Sequence, residues 1–106
     1  MNRLSPHDVK PRLTGGGEIA FLDVREHGQY GEGHPFFAVP LPYSRLEIDA
    51  PRLLPCKAVP VILLDDGDGV AEKAAARLAV LGYGDVMIVE GGAPEWAAAG
   101  YTLFKG

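Results

Sequence analysis

The sequence has a single cysteine, Cys56, among its 106 residues. One thiol can form neither an internal disulfide nor a cysteine-rich zinc site, so the fold must be stable without them. No apolar run approaches the ~18 residues that a membrane-spanning helix needs, and residues 1–6 lack the apolar core of a signal peptide. These absences predict a soluble cytoplasmic protein that keeps its cysteine reduced.

Basic residues are also in the minority, with 10 Lys and Arg against 14 Asp and Glu and a formal net charge of −4. Without a basic cluster or a series of stacking aromatics, we expect no binding to nucleic acid or to an anionic membrane. Gly91-Gly92 lacks the glycine spacing of a dinucleotide-binding turn, and we expect no cofactor. The length and the 47% hydrophobic content fit one domain over residues 1–106.

Three short apolar runs are present, at Ile19–Leu22, Val59–Leu64 and Val86–Val89. Such runs are typical of strands buried on both faces. An apolar stripe predicts a helix over Val70–Leu81, with Gly82 just beyond its end. Shorter elements are expected as a helix starting at Ser5-Pro6, a helix at Glu26–Tyr30, a strand within 38–42, a helix at Ser44–Ile48 and a last helix from Pro94 to near Gly100. This alternation predicts an α/β fold with a mainly parallel sheet covered on both faces.

An acidic turn, Asp65-Asp66-Gly67-Asp68-Gly69, joins the second apolar run to helix Val70–Leu81. A turn between a buried strand and a helix N-terminus is where α/β proteins bind anions. This turn has three carboxylates and no nucleophile, so its side chains are expected to cap the helix and shape the turn. Which aspartate is the cap stays open. The three negative charges oppose binding of thiosulfate or phosphate.

A calcium loop is the alternative interpretation of the acidic turn. Asp66 and Asp68 are closely spaced carboxylates followed by Gly69, a combination that is faintly similar to a calcium-binding loop. The bidentate glutamate expected eleven positions after the first aspartate is missing, because Arg77 or Ala76 stands there, depending on where the loop begins. We therefore expect no metal site.

A series of landmarks in order along the chain resembles the rhodanese domain, and the likeness runs from about Arg3 to Tyr101. The landmarks are Asp23-Val24-Arg25-Glu26, Tyr30, Gly33-His34, Pro40-Leu41, Leu81-Gly82-Tyr83, Val86, Glu90-Gly91-Gly92, Trp96 and Ala99-Gly100. The resemblance implies a rhodanese-like fold, with a five-stranded, mostly parallel sheet and helices on both sides.

In active members of that family, a strand delivers a cysteine whose thiolate and persulfide are stabilised by loop N–H groups and a helix dipole. Sulfur passes from a donor such as thiosulfate to the cysteine and then to a thiophilic acceptor. The resemblance places this cysteine at Asp65 when counted from the strand, or at Asp66 when counted back from Arg77-Leu78. We favour Asp65, because Leu64-Asp65-Asp66-Gly67 resembles the non-catalytic halves of tandem rhodaneses. The resemblance then makes residues 65–70 a vestigial active loop, composed of Asp65, Asp66, Gly67, Asp68, Gly69 and Val70.

Four further residues are candidates for a role in the site. Asp23 and Arg25 end a strand on the same side as the acidic turn, where they are expected either to fix local loops by an ion pair or to contribute to the vestigial pocket. His34 is expected to be architectural. Cys56 precedes a strand of about six residues at ~3.3 Å each, which places it ~20 Å from the turn at the opposite end of the sheet.

Three functions are compatible with these observations. The first is a catalytically inactive rhodanese-like domain with a structural or regulatory role, the N-terminal segment of a longer sulfurtransferase whose other rhodanese domains are its partners. The second is an independent module that binds a small ligand or a protein. The third is a sulfurtransferase that uses Cys56. We favour the first, because the nucleophile position is an aspartate.

Overall fold

Five parallel strands form one sheet in the computed structural model, which describes residues 2–15, 18–26, 28, 31, 33–35 and 38–103. The strand order is β1-β5-β4-β2-β3, and every pairing is parallel. The strands are β1 (Asn2–Leu4), β2 (Ala20–Asp23), β3 (Val39–Pro40), β4 (Val61–Leu64) and β5 (Val86–Val89). The predicted α/β fold with a parallel sheet is confirmed. All carboxyl ends of the strands lie at one edge of the sheet, where the loops after β2, β4 and β5 meet.

Helices cover both faces of the sheet. They are α1 (Pro6–Thr14), α2 (Leu46–Leu53), α3 (Val70–Val80) and α4 (Gly92–Ala98), with a 3-10 turn at Tyr43–Arg45. The core on one face includes Ala50 of α2 and Leu78 of α3, and the core on the other includes Val9 of α1 and Trp96 of α4. None of the helices within the described residues has the length and apolar character to cross a membrane.

Strand β4 shows why its sequence is uniformly apolar. Val61 and Leu63 belong to the core beneath α2 and α3, whereas Ile62 and Leu64 belong to the core beneath α1 and α4. Successive side chains of a strand point to opposite faces, and here both faces are covered by helices. All four side chains are therefore fully buried.

Several predicted helix ends are confirmed. The Ser5 hydroxyl accepts a hydrogen bond from the Asp8 N–H at 3.2 Å and caps α1. Beyond α3, Gly82 has a φ of 102°, while Gly82 N–H donates to Ala79 O and Tyr83 N–H donates to Leu78 O. This pair of hydrogen bonds is the Schellman arrangement, which ends a helix at a glycine.

Other boundaries differ from the prediction. Strand β4 begins at Val61 instead of Val59, because Pro60 has no N–H to donate to a neighbouring strand. Helix α2 continues to Leu53, past the predicted end at Ile48, because Pro51 removes only one helical hydrogen bond and Leu54 N–H still donates to Ala50 O.

Three further elements complete the comparison with prediction. Strand β1 was not predicted, because three residues with an asparagine and an arginine show no apolar pattern; its pairing with β5 creates it. The predicted helix at Glu26–Tyr30 falls largely outside the described residues. Helix α4 begins at Gly92, two residues before the predicted start at Pro94.

Candidate functional site

The Asp65 carboxylate bridges the turn after β4 and the start of α3. The residue is 3% exposed. Its Oδ1 accepts a hydrogen bond from Gly67 N–H at 2.8 Å, and its Oδ2 accepts one from Ala71 N–H at 2.9 Å. Ala71 is the second residue of α3, so the carboxylate lies at the positive end of the helix dipole. An anion of the chain itself thus occupies N–H groups that could otherwise bind an external anion.

The other two aspartates of the turn have different surroundings. Asp68 is exposed, and its Oδ1 lies 3.4 Å from Val70 N–H, at the long limit of a hydrogen bond. Asp66 is half-buried and pairs with Arg25, its Oδ1 lying 3.1 Å from Nη1 of the arginine. Asp65 is therefore the aspartate with two short hydrogen bonds to turn and helix N–H groups.

Helix α4 packs directly on this turn. Ala93 N–H donates to the Asp65 carbonyl oxygen at 2.7 Å. Gly67 and Gly91 approach so closely that a Cβ on Gly67 would lie 2.9 Å from Gly91 O. The loops after β4 and β5 are thus in direct backbone contact at the carboxyl edge.

Arg25 joins the end of β2, the connection that follows it and the acidic turn at the same edge. Its Nε and Nη2 donate to the Asp23 carboxylate at 2.9 and 2.7 Å, Nη1 donates to Asp66, and Nη2 also donates to the Gly33 carbonyl at 2.5 Å. Asp23 is completely buried, and Arg25 is 8% exposed. Burial alone would lower the pKa of Arg25, but hydrogen bonds and charge from Asp23, and then from Asp66, outweigh it and raise the pKa. The ion pair with Asp23 expected from the sequence is present, and Arg25 also contacts the acidic turn through Asp66.

Cys56 lies at the other end of the sheet. It is exposed, and it lines a cavity of about 210 Å³ with Ile19, Ala20 and Val59, which lie at the amino ends of β2 and β4. Since the sequence has no other cysteine, the acidic turn has no thiol. Within the described residues, no group of three potential metal ligands converges.

Truncating Asp65 should destabilise the fold more than truncating Asp68. Asp65→Ala leaves two N–H groups without their acceptor, so we expect a loss of about 1–2 kcal/mol in the free energy of unfolding. Asp68→Ala removes one long, exposed contact and should change that free energy by less than about 0.5 kcal/mol. Urea melts of both variants measure the difference, and equal midpoints would contradict the capping role.

The sequence of the chain matches the family model for the rhodanese-like domain over residues 5–99. The chain belongs to the rhodanese-like domain family. This confirms the resemblance identified from the landmark residues. A comparison with curated proteins found no match.

Solved structures with the rhodanese-like fold superpose closely on this domain. A thiosulfate sulfurtransferase from Pseudomonas aeruginosa matches with a TM-score of 0.92 and 41% identity, covering 99% of this chain but only 20% of that one. The Alr3790 protein from Anabaena sp. matches with a TM-score of 0.86 and 27% identity, covering 96% of this chain and 91% of that one. The BH2092 protein from Bacillus halodurans has a TM-score of 0.86 and 25% identity, covering 98% and 77%. This rhodanese-like domain thus spans about a fifth of the Pseudomonas chain.

Sequence reasoning missed the backbone partners of the site. Ala71 N–H and the Gly33 carbonyl hold the two key side chains in this rhodanese-like domain, yet neither residue type indicates such a role. The role of Ala71 could have been predicted, because the N–H group of the second residue of a helix is a usual partner for an acidic side chain that precedes the helix. No comparable signal marks Gly33 as the acceptor for Arg25.

Proposed function

We propose that this rhodanese-like domain is catalytically silent and has a structural or regulatory role in a larger sulfurtransferase. The observation that carries the proposal is the position of Asp65. Asp65 directly follows β4, where the family resemblance places the cysteine. Its carboxylate accepts hydrogen bonds from the N–H groups of Gly67 and Ala71. A carboxylate cannot accept sulfur to form a persulfide, and here it fills the place of a bound anion.

The charge around the turn supports the same proposal. The positive charge of Arg25 is matched by two carboxylates, Asp23 and Asp66, and the turn adds Asp65 and Asp68. Two like charges ~4 Å apart repel by about 1 kcal/mol in water and about 4 kcal/mol at an effective dielectric constant of 20. A dianionic sulfur donor such as thiosulfate would meet this repulsion, and among the described residues at this edge Arg25 and Arg3 are both already paired with carboxylates.

The length of the Pseudomonas protein supports the proposal that this domain is part of a longer chain. The thiosulfate sulfurtransferase that resembles this domain at 41% identity is about five times its length. In such a protein a silent domain would act by packing against other domains, whose typical contacts bury ~600–1,500 Å². Its partners would then be further rhodanese domains of the same chain.

An assay of thiosulfate:cyanide sulfurtransferase activity tests the proposal. We expect no cyanide-dependent release of thiocyanate above the rate without protein, because the turn offers no thiolate. Pseudomonas aeruginosa thiosulfate sulfurtransferase, assayed in parallel, is the positive control. Turnover by this chain that disappears in Cys56→Ser would overturn the proposal and assign the reaction to the opposite end of the sheet.

A further inference from the structure

A shallow groove of about 300 Å³ lies beside the acidic turn at the carboxyl edge. Ala93, Pro94 and Ala97 of α4 form one wall, and Leu103 of the C-terminal segment also lines it. The polar end is formed by Arg25, Asp66 and Gly33. The groove is therefore apolar along α4 and polar at one end, a shape that suits a side chain with an aliphatic stem and a polar head.

The charges at the polar end determine which head group fits. All three nitrogens of the Arg25 side chain donate to Asp23, Asp66 or the Gly33 carbonyl. The guanidinium is thus held by two carboxylates, and these three groups together carry a net charge of −1. Asp65 and Asp68, in the same turn as Asp66, add further negative charge. A cationic head is favoured there and an anionic one is opposed.

The groove on the other side of the turn has an arginine of its own. Arg3 lines that groove of about 380 Å³ and pairs with Glu72 at 2.7 Å. A cation in the groove lined by Arg3 would lie near that exposed arginine. In the groove beside α4 the arginine is Arg25, whose side-chain nitrogens already donate to Asp23, Asp66 and the Gly33 carbonyl.

We propose that the groove formed by Ala93, Pro94, Ala97, Leu103 and the Arg25–Asp66 pair binds an arginine or lysine side chain from another polypeptide. The aliphatic stem lies along α4 and the cation lies next to Asp66. This inference rests on the proposed function, since it assigns the carboxyl edge of a silent domain to docking. The partner is identified by the chemistry of this one side chain, an aliphatic stem that ends in a cation.

Titration of the ¹⁵N-labelled chain with a short peptide tests the proposal. The probe is acetyl-Ala-Arg-Leu-Ala-amide, and the matched control is the same peptide with citrulline, the neutral isostere of arginine. We expect the arginine peptide to shift the amide resonances of Gly33, Asp66, Ala97 and Leu103. Because an exposed charge pair contributes modestly, the citrulline peptide should bind about three- to five-fold more weakly.

Two lysine substitutions localise the binding. Ala97→Lys places a cation in the groove and should weaken arginine-peptide binding by about five-fold or more. Ala79→Lys makes the same change at an exposed position of α3, on the opposite face of the sheet, and should leave binding unchanged within about two-fold. No resonance shifts, equal binding of both peptides, or equal effects of both substitutions would overturn the proposal. Thiocyanate release is a separate measurement. A failure of the peptide to bind is therefore distinguishable from a finding that the domain is catalytically active.

Discussion

Replacing Arg25 with alanine should lower the free energy of unfolding by about 3–5 kcal/mol, because the change leaves a buried carboxylate without its cation. Asp23 is completely buried, and its carboxylate accepts three hydrogen bonds from the Arg25 side chain. Asp66 and the Gly33 carbonyl lose a partner at the same time. Urea denaturation followed by circular dichroism measures the effect.

The matched control is Arg77→Ala, which removes an arginine from an exposed ion pair. The side chains of Arg77 and Glu47 are 55% and 47% exposed, so solvent screens their attraction. We expect a much smaller loss than for Arg25→Ala. If Arg25→Ala cost no more than Arg77→Ala, the buried pair would not be holding the loops of the carboxyl edge together.

Replacing Gly92 with alanine should also destabilise the fold strongly, by about 3 kcal/mol or more. A Cβ at this position would lie 2.3 Å from Asp65 O and 2.5 Å from Gly67 N, and the residue has a φ of 65°. Both contacts are with backbone, so no side chain can move aside. The start of α4 would have to separate from the acidic turn, breaking the hydrogen bond from Ala93 N–H to Asp65 O.

Gly84→Ala is the control for the glycine substitution. A Cβ on Gly84 meets nothing within 4 Å, and its φ is not positive. Its melting temperature should stay close to that of the unsubstituted chain, whereas Gly92→Ala should lower it by about 12 °C or more. Similar melting temperatures for the two variants would show that the contact between α4 and the turn is looser than the structure indicates.

The parts of the fold that were predictable are those where burial dictates residue type. Strand β4 has helices on both faces, so it requires four apolar residues in a row, and that run is visible in the sequence. Strand β1 was not predictable, because Asn2-Arg3-Leu4 becomes a strand only by pairing with β5, more than eighty residues away. The end of α2 was predicted too early because a proline usually marks a helix boundary. Here Pro51 lies inside the helix, which continues to Leu53.

The site was predictable in its location but not in its contacts. Parallel strands place their following loops at one edge, so Asp23, Arg25 and the acidic turn could be grouped from sequence alone. The choice of Asp65 as the capping residue depends on the path of the turn, in which Gly67 and Gly69 adopt positive φ and bring the Asp65 carboxylate to Ala71 N–H. The groove depends on the packing of α4 and Leu103, for which residue spacing gives no signal.

The measurement that tests the central claim most directly is the intact mass of the chain after incubation with excess thiosulfate. If Asp65 occupies the position of the sulfur-accepting cysteine, no thiol stands in the acidic turn, and the mass should remain that of the unmodified polypeptide. A stoichiometric gain of one sulfur atom, mapped to Cys56 by fragmentation, would contradict this account.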